Sequence, residues 1–217
     1  MSADSDLKKA VLDELGWETS VNAAHIGVTA DRGVITLTGH VDSLANKVSA
    51  EKAASRVKGV RGVAEEIEVK LPWEIKRGDE ELATAAIGRF SWNSLIPADA
   101  LKVKVSKGWV TLKGTVAWQF EKEAAEQDIR TLSGVIGVSN EIEVRPAVNA
   151  SNVKDAIERA LHRSWYYEPD TIVVSAVGGK ITLTGSVGAW NARRLAGSTA
   201  WSAPGAISVV NDIVVNG

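Results

Sequence analysis

One seven-residue stretch occurs three times in this chain of 217 residues. Gly33-Val-Ile-Thr-Leu-Thr-Gly39 returns as Gly108-Trp-Val-Thr-Leu-Lys-Gly114, and again as Gly179-Lys-Ile-Thr-Leu-Thr-Gly185. Within each copy apolar and polar residues alternate between two glycines, the period of a strand with one buried face. Copies starting at positions 33, 108 and 179 lie 75 and then 71 residues apart. A period of that size is longer than a solenoid repeat and just long enough for a small domain with its own modest core. Length alone would have allowed one large domain; the repeat replaces that reading with three small ones, expected over residues 1–71, 76–146 and 149–217.

Each copy reads helix, strand, strand, helix, strand. In the first, Asp4 or Asp6 can cap a helix whose apolar stripe is Leu7, Val11, Leu12 and Leu15. Ile26, Val28 and Ala30 alternate along a strand, Asp31-Arg32-Gly33 makes a tight turn, and Ile35 and Leu37 share one face of the returning strand. Gly39 is expected to break that strand. Ala50, Ala54 and Val57 mark a second helix, and Val63, Ile67 and Val69 a last strand. The second copy repeats this with Leu82, Ala86 and Phe90, then Val110 and Leu112, then Ala125 and Ile129. The third repeats it with Ile157 and Leu161, Ile181 and Leu183, and Ala196 and Ala200. The two linkers are short and not rich in Gly and Ser, which predicts limited freedom between domains.

Two helices with one apolar stripe each and three half-buried strands imply an α/β (α+β) fold of three tandem two-layer sandwiches. The first two strands form an antiparallel hairpin. The strand–helix–strand that follows crosses over right-handed, so the third strand runs parallel to the second. Each domain is thus a mixed three-stranded sheet with both helices on one face and the other face open. The three open faces differ. The first is polar, with Thr29, Thr36, Thr38, Glu66 and Glu68; the second is charged around Trp109; the third is apolar, with Val173, Val177 and Val214. An apolar open face calls for a cover, so Trp109, Val173, Val177 and Val214 are the candidate inter-domain or oligomer face.

The order of elements, with G-x-[VI]-T-L-x-G in the hairpin, resembles the BON domain, named for bacterial OsmY and nodulation proteins. The end of each copy carries the rest of the likeness. Gly134-Val-Ile-Gly-Val138-Ser-Asn140-Glu-Ile142-Glu-Val144 fits the family's closing pattern throughout. Residues Gly205 to Val215 depart from it at Ala206, and Gly59 to Val69 depart at Glu65, where the family commonly has Asn. The resemblance covers nearly the whole chain. It implies a non-enzymatic protein tied to osmotic or other envelope stress, to phospholipid surfaces and to envelope partners; a soluble self-associating interaction module and a small-ligand or ion sensor are the alternative readings of the chain. Many such proteins are exported. Here the N-terminus shows no basic segment followed by an apolar one, which reads as cytoplasmic as written, or periplasmic if a leader has been removed.

Composition excludes several chemistries. There are no cysteines, so disulfides and thiolate catalysis or ligation are absent. Net charge is −2 with signs interspersed, and no copy is a basic module, which argues against nucleic acid. No apolar run approaches a membrane span. His25, His40 and His162 lie outside any metal-ligand spacing, and no nucleophile or phosphate-loop motif appears, so neither cofactor, metal nor catalytic residue is expected. Two sets of side chains remain as candidates for lipid or partner contact. Lys47, Lys122 and Arg193 recur on the second helix, three residues before Ala50, Ala125 and Ala196; they either meet anionic headgroups or face solvent. Among eight tryptophans, Trp73, Trp118 and Trp190 are read as seats for a membrane interface or a domain contact, whereas Trp17, Trp92 and Trp165 are read as core plugs or loop anchors.

Overall fold

The computed structural model describes residues 3–146, 152–163 and 171–216. Domain 1 comprises α1 (Ala3–Trp17), β1 (Ile26–Asp31), β2 (Val34–Val41), α2 (Leu44–Ser55) and β3 (Gly62–Val69). Domain 2 repeats the order as α3 (Asp79–Trp92), β4 (Leu101–Ser106), β5 (Trp109–Val116), α4 (Gln119–Arg130) and β6 (Gly137–Val144). Domain 3 follows as α5 (Val153–His162), β7 (Ile172–Val177), β8 (Lys180–Val187), α6 (Trp190–Trp201) and β9 (Ser208–Val215). Each domain has its own three-stranded sheet with the second strand in the middle. The first two strands are antiparallel and the third is parallel to the second, the mixed topology that the crossover rule dictates.

The hairpin turn explains one glycine of the signature. Arg32 and Gly33 sit at φ 48° and 83°, Lys107 and Gly108 at 52° and 80°, and Gly178 and Gly179 at 56° and 80°. Two consecutive positive φ values define the type I′ turn, which matches strand twist and tolerates glycine at its second position without cost. The turn carbonyl then accepts from the residue leading into the last strand: Arg61 N on Gly33 O at 2.8 Å, Ile136 N on Gly108 O at 3.0 Å and Ile207 N on Gly179 O at 2.8 Å.

The other glycine corrects the sequence reading. Gly39 does not break β2, which runs on to Val41 with Gly39 paired to Ile26. Its requirement is space. A Cβ there would lie 2.0 Å from the His25 carbonyl oxygen, and Gly114 and Gly185 face Ala100 and Thr171 in the same way at 2.1 and 2.0 Å. The chain entering the first strand crosses directly over the middle one.

The buried faces are those the alternation requires. Ile35 and Leu37, Val110 and Leu112, and Ile181 and Leu183 are fully buried beneath the two helices of their domains. Alanines make the second helix lie close: Ala50, Ala53 and Ala54 in domain 1, Ala125 in domain 2, Ala196 and Ala200 in domain 3. The domains also meet. Leu44 of α2 is buried in the core of domain 2, with Val48 and Val69 packed beside it. Lys52 of α2, Glu126 and Arg130 of α4 and Arg194 of α6 line one crevice of about 440 Å³. The second helices of the three copies therefore face one another, and the linker between domains 1 and 2 is a short turn, Trp73–Ile75, rather than a loose tether. Among the described residues, no helix is long and apolar enough to cross a membrane.

Candidate binding surfaces

The three helix cations turn inward along the sheet edge. Lys47 Nζ donates to Ile67 O at 2.7 Å and Lys122 Nζ to Ile142 O at 2.7 Å; Arg193 donates to Ile213 O at 2.9 Å and to Asn211 O at 2.5 Å. All three are half-buried. Their long stems cover apolar surface while the charged ends satisfy carbonyls of the last strand. The sequence left open headgroup contact or plain solvation; in the structure these bonds hold the second helix on the last strand.

That clasp has a second half, which the sequence reading missed. Asn140 Nδ2 donates to Lys122 O at 2.9 Å and to Glu126 Oε2 at 3.0 Å, while its Oδ1 accepts from Ile142 N at 3.2 Å. Asn211 donates to Arg193 O at 2.7 Å and accepts from Ile213 N at 3.4 Å. An amide serves both helix and strand because it carries donor and acceptor together. Domain 1 has Glu65, which has no donor. It accepts from Ile67 N at 2.6 Å and takes Lys47 as its partner at 2.8 Å. The departure from the Asn pattern is thus compensated within the same clasp. A sequence signal existed: the cation precedes the Asn or Glu by the same interval in all three copies (47 to 65, 122 to 140, 193 to 211).

The tryptophans divide in an unexpected way. Trp17 and Trp92 end the first helices of domains 1 and 2 and are 81% and 90% exposed, so they are not core plugs. The helix ends where the apolar stripe ends, and its last side chain has no core to reach. Trp165 lies outside the described residues. Trp73, in the linker turn, is 78% exposed. Trp190 packs partly buried against its own domain's core, with the Arg193 guanidinium 4.9 Å from its ring centroid. Trp118 stacks on Phe120 at 6.4 Å. That pair borders a crevice of about 130 Å³ shared with Trp201 of domain 3, where Gln119 Oε1 is buried without a partner.

The open sheet faces keep their differences. In domain 2 Trp109 lies over Gly137, whose absent Cβ makes room for the indole, and donates from Nε1 to Ser139 Oγ at 2.9 Å. Beside it Lys113 and Glu141, directly opposite in register, pair at 3.0 Å. In domain 3 Val173, Val177 and Val214 are all more than half exposed, and Val210, which the pattern reading left out, joins them. In domain 1 His25 and His40 stack at 4.7 Å. Among the described residues no three His, Asp or Glu side chains gather as metal ligands.

Asp79, the first residue of α3, accepts from Lys107 N at 2.7 Å and Gly108 N at 2.9 Å, tying the helix to the hairpin turn. Those two amide bonds, Gly108's first, hold its carboxyl below the usual aspartate range. Asp4 makes the corresponding but longer contact to Gly33 N, at 3.4 Å.

Comparison with known proteins agrees with this build. The BON domain model matches residues 3–70, 78–146 and 149–217. Osmotically-inducible protein Y of Escherichia coli (strain K12) is 29% identical over 146 residues, covering 65% of this chain and 73% of its own. Two structures of CdsD, a structural protein of the type III secretion system of Chlamydia trachomatis, align along 98% and 97% of the chain and 98% and 92% of their own. At 16% identity and TM-scores of 0.26 and 0.27, they carry no argument. With three matched segments that together span nearly its whole length, the chain belongs to the BON domain family, as three BON domains in tandem.

Proposed function

We propose that this is a non-enzymatic binding protein that seats on phospholipid surfaces, in the osmotic-stress setting suggested by its likeness to osmotically-inducible protein Y. One observation carries the reading: Trp17, Trp73 and Trp92 are 81%, 78% and 90% exposed. Tryptophan is highly buried on average. Three indoles with so little packing are free to insert at the headgroup level, where amphipathic rings partition. The helix cations drop out of this proposal because their charged ends already serve the clasp. Co-sedimentation with phosphatidylglycerol vesicles tests it. The parent is expected to pellet, and a Trp17→Ser/Trp73→Ser/Trp92→Ser variant to stay in the supernatant while keeping its melting temperature. A parent that never pellets at low salt, or a variant that pellets equally well, refutes the lipid reading. An envelope protein held by the same indoles would produce the first of these results.

The valines of domain 3 favour a second reading, self-association. Val210 and Thr182 are register partners near the centre of the open face, with Lys180 toward one end and Asp212 toward the other. A second copy stacked antiparallel puts Val210 on its equivalent, Val177 near Val173, and Lys180 near Asp212. The face measures only about 370 Å² per copy from strand spacing and rise, well under the usual ~800 Å² per partner. Association is therefore weak and concentration-dependent. Light scattering across a concentration series should show rising mass for the parent and a constant monomer for Val173→Glu/Val177→Glu; a parent that stays monomeric at millimolar concentration contradicts it.

A further inference from the structure

The linker between domains 1 and 2 and the β4–β5 turn border an open crevice of about 460 Å³. Four cations line it: Lys70, Lys76 and Arg77 from the linker and Lys107 from the turn. Leu71 and Ile136 supply an apolar wall. The one acid in the lining is Asp79, whose carboxylate already accepts from the amides of Lys107 and Gly108. Lys70 reaches Glu68 at 3.5 Å and Arg77 reaches Glu81 at 3.4 Å, both exposed pairs of the kind that contribute little. Lys76 and Lys107 have no ion-pair partner among the described residues. A cluster of one sign in a concave wall focuses potential on its interior, and this one occurs in a chain of net charge −2.

Domain 1 supplies an internal control. Its matching crevice, between the N-terminal end of α1 and the β1–β2 turn, contains Arg32, Lys58 and Arg61, but also Asp4 and Asp6. There the charges nearly cancel. The excess of cations in domain 2 comes from Lys70, Lys76 and Arg77 of the linker.

We infer that the domain 2 crevice binds a phosphate-bearing anion. Lysine ammonium groups suit phosphate as point charges. A volume of about 460 Å³ with Leu71 and Ile136 on one side fits a phosphate ester with an organic portion better than a bare ion. The source is either a lipid headgroup or a soluble phosphorylated compound. The headgroup source rests on the membrane reading above, since Trp73 stands in the same linker between Lys70 and Lys76; the soluble source is independent of it.

Inorganic pyrophosphate titrated by calorimetry, and phosphatidylglycerol vesicles in co-sedimentation, separate the two. The variants are Lys76→Glu/Lys107→Glu, its neutral counterpart Lys76→Gln/Lys107→Gln, and Lys58→Glu in the domain 1 crevice, a control with the same charge change as the glutamine pair. All these side chains are on the surface, and unchanged melting temperature confirms folding. Saturable pyrophosphate binding is expected, weakened about tenfold or more by the double variants and untouched by Lys58→Glu. If vesicle binding falls in parallel, the site takes a headgroup; if pyrophosphate binds and vesicle binding is unchanged, the site takes a soluble ligand. No saturable binding of pyrophosphate, or equal weakening by Lys58→Glu, overturns the inference. Loss of vesicle binding on removing the tryptophans, with none on removing the lysines, would leave the membrane reading standing without the headgroup source.

Discussion

Replacing Lys47 by methionine probes the helix-to-strand clasp, and the other two domains supply its rescue. Methionine keeps most of the apolar stem and removes the ammonium. Lost are a charged hydrogen bond to Ile67 O at 2.7 Å and an ion pair to Glu65 at 2.8 Å, with the two side chains only 27% and 19% exposed. A hydrogen bond from a charged group contributes about 1.5–3 kcal/mol, and a pair this close to solvent adds at most about 1 kcal/mol. After partial rehydration of Glu65 the expected cost is about 2–3 kcal/mol. For a domain of this size that corresponds to a fall in melting temperature on the order of 10 °C. Lys47→Met/Glu65→Asn should recover roughly half of the loss, because the amide can donate to the Lys47-position carbonyl and still accept from Ile67 N, as Asn140 and Asn211 do. Urea denaturation gives the magnitude, and exchange protection of the Ile67 amide assigns it to domain 1. If the double variant is no more stable than Lys47→Met alone, the equivalence of the two clasps is wrong.

Four further outcomes follow from single positions. Asp79 has a folded-state value below its unfolded one, so its contribution is present above the unfolded value and lost as pH falls through the folded value. The stability gap between parent and Asp79→Asn should therefore narrow on acidification, and a gap that is constant from neutral to acid pH contradicts the assignment. Gly114→Ala, at φ 142° and with its new Cβ 2.1 Å from Ala100 O, should cost about 3 kcal/mol in chemical denaturation. Gly88→Ala, in α3 with nothing within 4 Å, should instead stabilise by about 0.5–1 kcal/mol. Trp92→Ser, at 90% exposure, should leave stability within about 0.5 kcal/mol, whereas a packing role would show as a much larger loss.

The fold was legible because it is written three times. Alternation in the copies of Gly33 to Gly39 gave the buried face of the central strand, and the crossover rule gave the direction of the third. What could not be read depended on distances between elements. Gly39 looked like a strand breaker because nothing local shows that the His25 carbonyl crosses over it. Lys47, Lys122 and Arg193 looked solvated because their partners are main-chain carbonyls 20 residues on, visible only once α2, α4 and α6 lie on their sheets. Trp17 and Trp92 looked like core plugs or loop anchors because helix periodicity says nothing about where the core stops. The cationic crevice needed the linker to fold back on domain 2, although its lysines stand in plain sight in the sequence.

We propose that the exposed indoles, rather than the helix cations, meet the membrane. Quenching of intrinsic tryptophan fluorescence by vesicles of brominated phosphatidylglycerol tests it most directly. Strong quenching is expected for the parent, and loss of most of it in Trp17→Ser/Trp73→Ser/Trp92→Ser. Equal fractional quenching in parent and variant, or none in the parent, would contradict it.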